Sequence, residues 1–193
     1  MIMQAEEKKF FTLDEYLELE VNSNTRHEYI DGEIIPMTGG TPEHNEIASI
    51  LNALLRVSLK GRPYSIFVAD QRLWIPDRKL YTYPDVMAVP RPLERQQGRT
   101  DTITNPVMIA EVLSKSTKSY DRDEKFSAYR TIPTLREYLL IDQYTPHVEQ
   151  YSKTDSHKWI FTESNDLESS ISFSSIPFEI RLADLYESVE FEL

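Results

Sequence analysis

Cysteine is absent from the 193-residue chain, and glycine occurs only five times. Without thiols there is no disulfide framework, no cysteine-ligated zinc finger and no thiol nucleophile, which suits a reducing compartment. With so few glycines the chain has little from which to build phosphate-cradling loops. GxxxxGK[ST], GxGxxG and GxSxG do not occur, nor does HExxH, so NTPase, dinucleotide-binding and serine-hydrolase readings are poor. Long apolar runs are missing as well. None approaches the ~20 residues of a membrane span, and residues 1–9 lack the basic lead and apolar core of a secretory signal. The expectation is a cytoplasmic protein with no membrane partner.

Basic charge is also in short supply: 21 Lys and Arg face 32 Asp and Glu, for a net charge of −11. A polyanion is held mainly by neutralising its phosphates, so the acidity at first argues against nucleic acid. Its distribution weakens that argument. Residues 1–60 carry 11 acidic and 5 basic residues and residues 143–193 carry 10 and 3, whereas residues 61–142 carry 11 and 13. The middle of the chain is slightly basic between two acidic ends. What is plentiful is apolar surface, 40% of the residues with 11% aromatic, enough for a core and against disorder. The length favours one domain.

Thr12 and Glu15 form a capping box, with Leu13, Tyr16 and Leu17 on one face, which predicts a helix over 12–21. Asp31-Gly32 between Glu28-Tyr29-Ile30 and Glu33-Ile34-Ile35 predicts a hairpin with a two-residue turn. Thr41-Pro42 opens a second helix, which should end near Gly61. Strand-like runs follow at 64–69, 72–75, 84–89 and 107–113, then a helix over 121–130 and a strand over 137–141. Apolar runs separated by helices point to strands covered on both faces, hence an α/β core with a mixed sheet. Beyond Asp142 a meander is expected at 147–151 and 159–162, with a polar turn at 153–157, a late strand over 176–182 and a helical turn at 183–187. The polar segments 91–104 and 164–170 read as loops.

The chemistry-bearing pattern is a spacing of carboxylates on strands. Pro84-Asp85 opens one apolar strand, and Glu111 interrupts another, Val107 to Leu113. A carboxylate in a buried strand needs a partner or it neutralises. Two adjacent strands presenting one carboxylate each, with a backbone carbonyl beside them, would supply the hard oxygen ligands that Mg2+ or Mn2+ prefers. Taken singly, Asp85 also fits a strand-end cap and Glu111 a salt bridge to a core arginine.

The ordered set Tyr29-Ile30-Asp31-Gly32-Glu33, Pro42-Glu43-His44, Pro84-Asp85-Val86, Glu111-Val112-Leu113-Ser114 with Ser116-Thr117, then Asp121, Lys125 and Arg136-Glu137-Tyr138 resembles the Uma-type endonuclease family. That family is a domain of unknown function in the PD-(D/E)XK restriction-endonuclease-like superfamily. The resemblance covers about residues 11–185 and implies a single domain over 1–193. Its fold would be a restriction-endonuclease-like core, a mixed β-sheet flanked by helices, with an added β-hairpin and meander. It implies that Asp85, Glu111 and the carbonyl of Val112 bind Mg2+ or Mn2+, that DNA is cleaved to leave a 5′-phosphate, and that Lys125 assists. The superfamily places a lysine two residues after the second acid, where this chain has Leu113.

Geometry also bears on the lysines. Lys115 lies four residues beyond Glu111, ~13 Å along an extended strand, and would have to fold back. Lys118 belongs to a Ser/Thr/Lys loop and could contact a phosphate. Lys125, near the start of a helix that packs on the sheet, can point inward, or it can pair with Asp121 at the surface. His44 caps its helix or stands at the cleft edge. Glu28 and Glu46 are further acids that could lie near the metal, Glu28 fitting a strand salt bridge equally well, and Asp70 could support the site from behind. Tyr81, Tyr83, Arg91, Arg95 and Arg99 could line a nucleic-acid groove or decorate a loop. Besides a nuclease, the pattern admits an inactive DNA-binding or assembly module, and a homodimer burying Tyr144, Tyr151, Trp159 and Phe161.

Overall fold

The computed structural model describes residues 9–155 and 157–191. The leader reading at residues 1–8, and Ser156 of the expected polar turn, fall outside these. Helix α1 (Leu13–Asn22) starts where the capping box is complete: the Glu15 N–H donates to Thr12 Oγ1 at 3.2 Å, and the Thr12 N–H donates to Glu15 Oε2 at 2.7 Å. Strands β1 (His27–Ile30) and β2 (Glu33–Pro36) turn through Asp31 (φ 42°) and Gly32 (φ 105°). Both are positive, as a tight two-residue hairpin requires. Helix α2 (Pro42–Ser58) begins behind Thr41, whose hydroxyl accepts the His44 N–H at 3.2 Å, with Pro42 in the first turn.

The chain continues through β3 (Tyr64–Val68), β4 (Arg72–Ile75), β5 (Leu80–Thr82), β6 (Val86–Pro90), β7 (Thr102–Ile103) and β8 (Met108–Leu113). A helical run over 118–129 follows, made of α3 (Lys118–Tyr120), a π-turn (Asp121–Lys125) and α4 (Phe126–Tyr129). Then come β9 (Glu137–Asp142), β10 (Val148–Lys153), β11 (Trp159–Ser164), β12 (Ser170–Ser172), β13 (Glu179–Arg181) and α5 (Leu182–Leu185).

A six-stranded sheet has the order β11-β10-β9-β8-β6-β3, with β8 and β9 parallel and the other pairs antiparallel. A five-stranded sheet, β2-β1-β5-β4-β7, and a two-stranded one, β12-β13, complete the mixed α/β architecture. Alternate residues of β8 serve two cores. Met108, Ala110 and Val112 pack with Ile47, Leu51 and Leu55 of α2 and with the segment from Phe173 to Tyr186. Ile109 and Leu113 pack with Ala128, Tyr129, Ile132 and Leu135 and with Leu73, Ile75 and Leu80 of the smaller sheet. Both faces are covered, which explains the uninterrupted apolar run at 108–113.

The differences from expectation lie in short elements. The 91–104 segment contains β7, and β12 begins at the end of the segment read as a 164–170 loop. The late strand shrinks to 179–181, and the helix expected at 121 begins at Lys118. Among the described residues no helix is long and apolar enough to cross a membrane.

Candidate active site

The antiparallel register Val86↔Ala110 sets Asp85, just before β6, beside Glu111 of β8. The backbone N–H of Asp85 donates to Glu111 Oε2 at 3.3 Å, and the N–H of Val112 donates to Asp85 Oδ2 at 2.8 Å. The other Asp85 oxygen lies 3.1 Å from His44 Nε2, which the first turn of α2 delivers. The π-turn, a rare element that often marks functional sites, buries Asp121 and Lys125 together. Lys125 Nζ stands 3.2 Å from Glu111 Oε1, 3.1 Å from Asp121 Oδ1 and 3.5 Å from Glu28 Oε1. One turn on, the Tyr129 hydroxyl donates to Glu111 Oε1 at 2.6 Å. Glu28, buried on β1, also accepts from the Thr82 hydroxyl. Apart from Tyr129 and Thr82, these groups open into a cleft of about 550 Å³, with Gly40, Ser116 and Tyr144 among its lining residues.

Burial pushes the Glu111 carboxyl up from 4.5 to about 8. Lys125 opposes this, while the charges of Asp85 and Asp121 add to it. Burial alone would lower the Lys125 ammonium, but Glu111, Glu28, Tyr129 and Asp121 around it raise it well above its ordinary value. Lys125 therefore stays charged at neutral pH, while Glu111 takes up a proton more readily than a free glutamate. His44 is desolvated, which lowers its pKa, yet the Asp85 contact and charge outweigh this and raise it. Asp121 Oδ1 is buried without a hydrogen-bond partner, although the Lys125 ammonium is within ion-pair distance. The ammonium faces this oxygen without donating a well-directed hydrogen bond to it.

Four carboxylates thus share the cleft with two ammonium groups, those of Lys125 and Lys115, and one imidazole. This set of hard oxygens, one raised in pKa and one without a hydrogen bond, fits Mg2+ or Mn2+ rather than a thiophilic metal. Among the described residues, a group of three side chains with ligand atoms within 4.8 Å of one another occurs elsewhere, at His147, Glu149 and Glu163. There Glu149 is already clamped by Arg122, with an Nε to Oε1 distance of 2.9 Å.

Several expectations are corrected. Glu46 lies exposed on the outer face of α2 and does not line the cleft. The Asp70 side chain is 83% exposed and pairs with Arg26 at 3.5 Å, so it gives the site no support. Lys118 turns away to Asp142 Oδ2 at 3.6 Å, while Lys115 lines the cleft with its ammonium over the Tyr144 ring. Tyr81 is core, stacked on Tyr16, whereas Tyr83 does line the cleft, held there by Glu20 and Arg72. Arg99 is spent on Asp101, Arg95 on the Thr100 carbonyl, and Arg91 lines a different cavity. No shared groove is made of these five. Tyr151 and Trp159 pack on Phe126 within the chain and are partly buried there.

Three participants escaped the sequence reading. Tyr129 was legible only as an apolar helix position, although it stands four residues after Lys125. Thr82 belongs to the unforeseen β5. Tyr120, whose ring lies 5.5 Å from Lys125 Nζ, falls in the extra helical turn. Leu113 shares the Glu111 strand face and is buried in the second core, so the strand position of the motif lysine is apolar. The ammonium beside Glu111 comes from the π-turn.

The class these features define is a restriction-endonuclease-like α/β domain. A crystal structure from Anabaena variabilis, described as "a putative nuclease belonging to DUF820", superimposes with a TM-score of 0.75 over 92% of this chain and 98% of that one, at 19% identity. The chain belongs to the Uma2 family, described as "Putative restriction endonuclease", whose model matches residues 13–184. Two Synechocystis sp. relatives are uncharacterized proteins. One, sll1609, is 43% identical over 86% of this chain and 94% of its own length. The other, slr1290, is 37% identical over 76% of each.

Proposed function

We propose that the chain is a cytoplasmic, metal-dependent nuclease that hydrolyses phosphodiester bonds of DNA with Mg2+ or Mn2+. The observation that carries the reading is the meeting of Asp85, Glu111 and the Lys125 ammonium at one cleft. Asp85, Glu111 and the Val112 carbonyl would hold the ion. When bound, it neutralises charge on the scissile phosphate and acidifies a water. His44 and the Val112 N–H grip the two oxygens of Asp85 and fix its orientation. Tyr129 does the same for Glu111. Lys125, held protonated by its carboxylates, is no general base. Its N–H groups serve the phosphate oxygens as negative charge develops on them.

Plasmid nicking tests the reading. Cleavage should require Mg2+ or Mn2+, leave 5′-phosphates, and vanish in Asp85→Asn, Glu111→Gln and Lys125→Ala. Wild-type cleavage that survives chelator would sink it.

A second reading is an inactive DNA-binding or homodimeric assembly module. It is favoured by Leu113 at the motif-lysine position and by edge strand β11, where Ile160 and Phe161 remain 53% and 47% exposed. DNA binding indifferent to Asp85→Asn, without strand breakage under any metal, would select it.

A further inference from the structure

A second concavity, of about 410 Å³, lies at the other end of α2, between the end of that helix and edge strand β3. Arg56, Lys60, Arg62 and Arg91 line it, and no carboxylate does. Among the described residues none of the four makes an ion pair. What sets them apart is that they share one cavity in a chain of net charge −11. The favourable field at a helix C-terminus accounts for Arg56 and Lys60. It does not account for Arg62, beyond the helix, or for Arg91, which follows β6.

Neutral acceptors orient the two arginines that frame the cavity. Arg56 donates through Nε to Asn52 Oδ1 at 3.0 Å and through Nη2 to the Ile66 carbonyl at 2.6 Å. Arg91 donates through Nε to Ser65 Oγ at 3.0 Å. The remaining guanidinium N–H groups have no protein partner among the described residues. Oriented arginine forks with open donors match phosphate oxygens. Clustered cations repel one another, and an anion in the cavity relieves that cost.

We infer that this cavity is an exosite for the phosphate backbone of a nucleic-acid strand, holding phosphates remote from the scissile one. The identity of the ligand rests on the nuclease reading above. His44 reaches the catalytic cleft and Arg56 the basic one from the same helix, twelve positions apart, or ~18 Å at 1.5 Å per residue. Along duplex DNA that spans about five phosphates of one strand. A substrate shorter than this engages one cleft only. The exosite also supplies positive charge that the acidic catalytic cleft lacks.

The test is fluorescence anisotropy of a labelled duplex of about 20 base pairs in chelator, where nothing is cleaved, across a salt series. The wild type is compared with Arg62→Glu/Arg91→Glu and with the milder Arg62→Gln/Arg91→Gln. Loss of two phosphate contacts should weaken binding at least about tenfold near 0.1 M salt and flatten the log–log salt slope by about 1.8. Hydrolysis of bis(p-nitrophenyl) phosphate with Mn2+, a diester too small to span both clefts, should be unchanged in both variants. Equal duplex affinity and slope in wild type and variants, or no duplex binding by the wild type, overturns the exosite. So does displacement of the duplex by poly-glutamate as readily as by tripolyphosphate, which would make the cavity a dock for an acidic protein segment. Because binding is read without metal or cleavage, the exosite can fail while the reporter is still hydrolysed, and can stand when it is not.

Discussion

The effect of Glu111→Gln on stability should change steeply with pH. The carboxyl is raised from 4.5 to about 8 chiefly by burial, worth roughly 5 kcal/mol between its two protonation states at ~1.4 kcal/mol per tenfold change. The sign follows from linkage. Below about pH 4.5 the group is protonated whether the chain is folded or not, and its contribution is fully present. As pH rises toward 8 the unfolded chain releases the proton and the folded one retains it, so stability is lost. Between pH 5.5 and 8 metal-free wild type should therefore lose roughly 3 kcal/mol relative to the Gln variant, in which this titration is absent. For a domain of this size that moves the gap between their melting temperatures by about 6–12 °C. The assay is thermal denaturation of both proteins across pH in chelator, where other titrations cancel in the difference. Saturating Mn2+ at pH 8 should raise the wild-type Tm, by about 2.7 kcal/mol of stabilisation at a hundredfold excess over Kd. It should barely move the variant. A pH-independent gap, or equal metal shifts, would refute the assignment of Glu111 as a buried, metal-responsive carboxylate.

Lys125→Met strips the shared ammonium from Glu111, Glu28 and Asp121. Breaking a buried pair typically costs about 3–5 kcal/mol, so Tm should fall by about 10 °C in chelator, and divalent ions should recover more of it than they add to wild type. His44→Ala removes the imidazole that orients Asp85 and should weaken Mn2+ affinity about 10-fold to 100-fold by calorimetry. Tyr129→Phe deletes the 2.6 Å hydrogen bond to Glu111 and should cost about 1–3 kcal/mol by urea denaturation. Glu46→Gln and Asp70→Asn, both outside the cleft, should leave cleavage rates and Tm unchanged.

Features closed by local chemistry were legible in the sequence. The capping box of α1, the Asp31-Gly32 hairpin and the Thr41-Pro42 start of α2 each follow from neighbouring residues, and the structure places them within a residue or two of expectation. The interrupted apolar run around Glu111 likewise marked a buried strand. Elements stabilised from far away were not. Three-residue β5 exists because β1 and β4 flank it, and two-residue β7 because β4 pairs with it in parallel. The π-turn leaves no periodic signature in the polar run Asp121 to Lys125, which reads as a solvated helix face. It instead buries its first and last residues. For Tyr129 the sequence showed only an aromatic on an apolar face, since nothing local specifies where its hydroxyl points. The scarcity of basic charge also reads differently in three dimensions. Charges scattered over Arg56, Lys60, Arg62 and Arg91 gather in one cavity, a grouping that counting along the chain hid.

The central claim is that Asp85 and Glu111 bind one divalent ion which cleavage requires. It is tested most directly by Mn2+ titration calorimetry and plasmid nicking on the same preparations of wild type, Asp85→Asn and Glu111→Gln. The account expects about one ion bound by the wild type, with proton release near pH 7 as Glu111 ionises, and both binding and nicking lost in each variant. Full Mn2+ binding in the variants, or nicking by either one at the wild-type rate, would contradict it.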